Sequence, residues 1–152
     1  MQDERFEQFS ALIGGIYRDI QKLKNKWTEP LGMKSVHIFW VYLLRNHPEG
    51  LSAAELSRHS RSNRSLVSRE MQELIDLGYV AYATDGKTRR YGQKLILTEK
   101  GSQVAQRISE ASLDIQTQVS CTIAEEDLTN FYQTLGILAE NFSRLANQTT
   151  EE

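Results

Sequence analysis

The chain has 152 residues, 39% of them hydrophobic and 25% charged, a net charge of -2 and a single cysteine. That composition suits one soluble domain with a real core. It excludes an intrachain disulfide framework, and Cys121 with His37, His47 and His59 shows no closely spaced ligand set for a structural zinc site, so neither metal nor cofactor is expected. The opening MQDERFEQFS lacks the basic start and apolar run of a leader, and no apolar stretch approaches the ~18 residues of a bilayer span. The expectation is a cytoplasmic chain with no membrane partner.

The charge is uneven along the chain. Residues 1–50 carry seven Lys/Arg against six Asp/Glu, residues 51–107 ten against six, and residues 108–152 one against eight. A basic middle in an acidic chain is the electrostatic footprint of a polyanion-binding surface.

Taken in order, Phe6, Phe9, Ile13, Ile16, Ile20, Leu23 and Trp27 recur at alternating intervals of three and four, which predicts a long first helix with one apolar stripe. Gly14 and Gly15 inside it point to a bend or a close backbone approach. The segment TEPLGMKS ends it through Pro30 and Gly32. A second helix follows through Val36, Phe39, Trp40, Leu43 and Leu44 and closes at NHPEG. Its aromatic crowding reads first as core; alternatively Tyr17, His37 and Trp40 line a small-molecule pocket.

At Leu51 the pattern changes. Ser52 followed by Glu55 is a capping box that opens a short helix to about His59. After the polar link SRSN, with Ser62 or Asn63 as cap, a further helix carries Val67, Met71 and Leu74 on one side and ends near Gly78. Ser65, Ser68, Arg69 and Gln72 share the opposite side, with Asn63 and Arg64 at its start. Arginine pairs with the acceptors of guanine and glutamine with adenine, while serine lets a helix sit close to base edges or phosphates. Glu70, Glu73 and Asp76 read as a solvated flank. Two helices joined by a short turn give the polar side the context of a DNA-reading face.

Beyond Gly78, YVAYAT and QKLILT have strand character, and Asp85-Gly86 signals a hairpin turn. Lys87, Arg89 and Arg90 at its tip suit backbone or minor-groove contacts beside the reading helix. A long helix then runs through Val104, Ile108, Ile115 and Val119, and Thr122 with Glu125 makes a second capping box. The last helix sets Leu128, Phe131, Leu135, Leu138, Phe142 and Leu145 in a three-four alternation that requires a partner. Residues 1–27 and 123–147 are therefore expected to form a homodimer interface.

The segment Leu51 to Gly101, with LSAAELS, SLVSREMQELIDLGYV and LILTEKG, resembles the winged helix-turn-helix of the MarR family of bacterial transcriptional regulators, and the flanking helices extend the likeness over nearly the whole chain. The resemblance implies a mainly α fold with a small β wing. It also implies a winged helix-turn-helix lobe at 33–100 within a single domain 1–152, and a homodimer placing two reading helices in successive major grooves of double-stranded DNA. A small effector, here expected to be aromatic, often shifts the affinity in that family. Ser65, Ser68 and Arg69 correspond to reading-helix contacts and Arg90 to a wing contact. The sequence departs from the family at the wing, where the acidic member of an Asp-Arg-Arg run is missing and a one-residue length difference leaves Arg89 and Arg90 as alternatives for the groove contact. It also lacks the cysteine near the first helix through which some relatives sense oxidants; Cys121 reads as structural or incidental.

The sequence thus points to a dimeric, sequence-specific DNA-binding regulator, expected to be a repressor. Its rival is a winged-helix module for protein contacts, which would be expected to expose apolar anchors where this chain has serine and arginine. No nucleophile elbow, phosphate-cradling glycine loop or metal cluster points to an enzyme, and no catalytic residue is expected.

Overall fold

A computed structural model describes residues 2–83 and 93–148. The elements are α1 (Gln2–Thr28), a 3-10 turn (Glu29–Leu31), α2 (His37–Arg45), β1 (Leu51–Ser52), α3 (Ala53–Ser60), α4 (Arg64–Asp76), β2 (Val80–Tyr82), β3 (Lys94–Leu97), α5 (Glu99–Ser120) and α6 (Glu125–Gln148). The fold is mainly α with one small antiparallel sheet in the order β1-β3-β2, pairing Leu51 with Leu95 and Val80 with Leu97. The two-residue strand β1 is an addition to the elements expected from the sequence, too short to show a period of its own. The chain divides into two compact units, 1–110 and 111–152, with α5 running from one into the other.

In the first unit, α2, α3, α4, the sheet and the start of α5 close over one core. Trp40, Leu44, Leu56, Val67 and Leu74 are among its fully buried side chains, and Trp27 packs against its edge. The local signals of the sequence govern the joints. Ser52 accepts from the Glu55 backbone N–H while the Glu55 carboxylate accepts from Ser52 N–H at 2.8 Å, completing the capping box of α3. Asn63 Oδ1 accepts from Leu66 N–H at 2.8 Å and caps α4. Gly78 ends that helix at φ +78°, a left-handed turn that favours glycine.

The LTEKG segment ties the end of α4 to the start of α5 through three contacts, with a fourth inside the segment itself. The Thr98 hydroxyl donates to Gly78 O and accepts from Gly101 N–H. Lys100 Nζ donates to Leu77 O at 2.8 Å and sits 4.4 Å from the centre of the Tyr79 ring. At Gly101 a Cβ would stand 2.0 Å from Tyr79 O, so only glycine allows this approach of α5 to β2.

In the second unit, α6 has no buried residue, and Phe131, Tyr132 and Ile137 are all more than half exposed. Tyr132 OH donates to Gln116 Oε1 at 3.4 Å. Cys121 is exposed, in the turn between α5 and α6. Among the described residues, no helix is long and apolar enough to cross a membrane.

Candidate nucleic-acid interface

Helix α4 has two unlike sides. Val67 and Leu74 have no exposed surface and Met71 is 3% exposed, which anchors the helix in the core. Asn63, Arg64, Ser65, Ser68, Arg69 and Gln72, the six α4 residues assigned to DNA from the sequence, are all exposed. Arg64, Ser68 and Gln72 line a hollow shared with Ser52, Tyr82 and Leu95, so the polar side of α4 opens beside the base of the wing sheet. Three of the six already have partners within the chain: the Asn63 oxygen caps the helix, Gln72 Nε2 donates to Asp76 Oδ1 at 2.8 Å, and Arg69 donates to Glu70 Oε1. The start of α4 adds its dipole and backbone N–H donors, a favourable place for phosphate. The wing-tip residues Lys87, Arg89 and Arg90 lie outside the described residues.

Glu70 corrects the sequence reading. Expected on a solvated flank, it is 3% exposed. Its position between Val67 and Leu74, at i+3 from the one and i-4 from the other, puts it on the buried stripe despite its charge. Burial of a carboxylate is costly unless it is paired, and Glu70 has two neighbours. Oε1 accepts from Arg69 Nη2 at 3.3 Å, and Oε2 lies 3.1 Å from His37 Nε2.

His37 and Trp40 are each 1% exposed and belong to the core, whereas Tyr17 is 62% exposed on α1. Of the two readings left open for these three residues, the core reading holds for His37 and Trp40. The imidazole also lies 3.2 Å from Glu73 Oε2, and Glu73 is paired with Lys34. His37, Glu70 and Glu73 thus gather three ligand-type atoms within 4.8 Å of one another, a cluster missed in the sequence because His37 is more than thirty residues from the two glutamates. A metal at Nε2 would need that atom deprotonated. The Lys34 backbone N–H donates to His37 Nδ1 at 3.1 Å, which leaves the neutral ring's proton on Nε2, facing both carboxylates. That tautomer does not suit a metal ligand, and neither Nε2 nor Glu70 Oε2 has an aligned hydrogen-bond partner, so the imidazole meets the carboxylates as a close polar contact.

The electrostatics follow from this packing. Burial pushes the His37 pKa below 6.5, against the opposing pull of Glu70 and Glu73, so the ring is neutral at neutral pH. The hydrogen bond from Lys34 holds the Glu73 carboxyl below its ordinary value.

Residues 31–90, which include the helix-turn-helix, match the MarR family model. Comparison with curated proteins gives no match. Among solved structures, the chain is similar to a MarR transcriptional regulator from Methanosarcina mazei, with 24% identity over 91% of this chain and 99% of that one and a TM-score of 0.74. It is also similar to a MarR protein from Peptoclostridium difficile, with 19% identity over 90% and 88% and a TM-score of 0.77. A MarR family regulator from Neisseria meningitidis gives 18% identity over 98% and 99% and a TM-score of 0.67. The fold is that of the MarR regulators along almost the whole chain.

Proposed function

We propose that this protein is a homodimeric, sequence-specific DNA-binding regulator. Helix α4 enters the major groove: Ser65, Ser68, Arg69 and Gln72 face base edges, and Arg64 and the helix start meet phosphate. Asn63 contributes by capping that start, with its amide N–H groups still available to the backbone of the duplex. Lys87, Arg89 and Arg90 of the wing supply the flanking contacts. Residues 33–100 act as the reading lobe.

The observation that carries the reading is the division of α4, with Val67, Met71 and Leu74 buried and six polar or basic residues exposed, three of which, Arg64, Ser68 and Gln72, open beside the sheet. A protein-binding winged helix would be expected to present apolar anchors on that side.

The dimer is assigned to residues 1–27 and 123–147. Helix α1 exposes Ile13, Ile16 and Ile20 along one stripe, and α6 carries the exposed Phe131 in line with the half-buried Leu135 and Leu138, two apolar stripes on long helices that a second copy of the chain would cover. In this reading the regulator is a repressor released by a small aromatic effector. The core burial of His37 and Trp40 removes them from the surfaces on which that effector would first land.

Selection of binding sites from random duplex DNA by the purified chain tests the proposal. A pseudo-palindrome is expected, with half-sites about 10 to 10.5 base pairs apart. Absence of any enriched sequence would favour the protein-binding alternative.

A further inference from the structure

Arg69 is held from behind. Its Nε and Nη2 both donate to Glu70 Oε1, at 3.4 and 3.3 Å, while the side chain remains 65% exposed. A guanidinium presents two usable edges. This contact occupies the Nε–Nη2 edge and leaves the terminal Nη1–Nη2 fork, the pair of donors that matches O6 and N7 of guanine. A long side chain loses rotamer freedom when it docks on a base, and a brace that has already restricted it reduces that loss.

The brace is itself anchored. A carboxylate free on a DNA-facing surface would repel phosphate, but the Glu70 side chain is 4% exposed and turned inward. Its second oxygen, Oε2, lies 3.1 Å from His37 Nε2. The Lys34 N–H on Nδ1 fixes the proton of the neutral ring at Nε2. Glu73, held by Lys34 Nζ at 2.6 Å from its Oε1, stands 3.2 Å from the same Nε2. Lys34, Glu73, His37, Glu70 and Arg69 form a continuous polar chain from the segment before α2 to the reading face of α4.

We propose that Glu70 is a specificity-determining positioning residue that aims Arg69 at guanine, with His37 positioning Glu70 from the core. The inference rests on the reading of α4 as the DNA-reading helix, and its test separates the two.

The duplex selected by the wild-type chain is titrated against the same duplex with the Arg69-dependent guanine replaced, and against a random-sequence duplex. Arg69→Ala is expected to abolish the guanine preference. Glu70→Met, close in size and unable to brace, and His37→Leu are expected to lower that preference roughly tenfold while leaving affinity for random duplex within about twofold. His37→Gln, whose amide can place a polar N–H beside Glu70, is expected to retain the preference. Circular dichroism establishes which variants fold, and His37→Leu carries the test if Glu70→Met does not.

If Arg69→Ala loses the guanine preference while Glu70→Met and His37→Leu keep it within about twofold, the brace is overturned and the reading of α4 stands. A parallel fall in specific and random-duplex affinity in the folded variants also overturns it, because Glu70 would then support the helix alone. If Arg69→Ala itself leaves base preference unchanged, the reading of the α4 face fails, and the inference with it.

Discussion

The Thr98 hydroxyl donates to the Gly78 carbonyl at 2.7 Å, so the residue that precedes α5 closes the turn that follows α4. The same oxygen accepts from Gly101 N–H, and Gly101 lies against Tyr79 O with no room for a Cβ. Helix α4 is therefore clamped at its C-terminal end by the residues that start the next long helix.

Replacement of Gly101 by alanine is expected to destabilise the fold by on the order of 3 kcal/mol or more, because backbone must move to admit the methyl group. Thr98→Val, which keeps the shape and loses the hydroxyl, should cost about 1 kcal/mol. Urea denaturation followed by circular dichroism measures both. A smaller effect for Gly101→Ala than for Thr98→Val would contradict the close approach.

Asn63 is assigned chiefly to capping. Asn63→Ala should lower stability by about 1 kcal/mol, and Asn63→Ser, which keeps an oxygen for Leu66 N–H, should recover most of it. Operator affinity should follow the same order. Full operator affinity in a destabilised Asn63→Ala would separate the cap from binding and refute that link.

The buried imidazole predicts an acid limb. Burial lowers the folded-state pKa of His37 below 6.5, so the unfolded chain binds the additional proton first. The stability carried by the neutral ring is complete above a pH of about 6.5 and is lost as the pH falls through the lower folded value. His37→Gln should flatten this limb of the stability profile and leave the one at lower pH, where Glu73 and other carboxylates protonate. Identical profiles for the wild type and His37→Gln would show that the ring does not titrate in this range.

The apolar stripes predict the assembly. Light scattering should give twice the 17.4 kDa chain mass at micromolar concentration. Leu138→Glu, on the apolar stripe of α6, should shift the equilibrium toward monomer while leaving the core of the first unit folded. A wild-type chain that scatters as a monomer would exclude the dimer.

What the sequence made legible was local. Ser52 with Glu55, Asn63 and Gly78 act within one turn of a helix end, where cap chemistry is set by near neighbours, and the structure has each in that role. Val67, Met71 and Leu74 were legible through periodicity. Glu70 was not, although its spacing from Val67 and Leu74 matched theirs, because its charge argues for solvent unless its partner is known. That partner, His37, comes from another helix and meets Glu70 only through the tertiary fold. The apolar stripes of α1 and α6 were legible through the same periodicity, whereas the exposed Leu12, Tyr17, Tyr132 and Ile137 lie outside them, and covering of the stripes by a second copy is an inference from chemistry.

The claim at the centre of this account is that the exposed side of α4 reads DNA. Its most direct measurement is the binding free energy of the selected operator to the wild-type chain and to Arg69→Ala, alongside Arg89→Ala and Arg90→Ala, over a range of salt. Arg69→Ala should lose about 1 to 3 kcal/mol on the operator and blur base preference, while the wing variants should weaken all duplexes alike and flatten the salt dependence. Unchanged affinity and unchanged salt dependence in all three variants would contradict it.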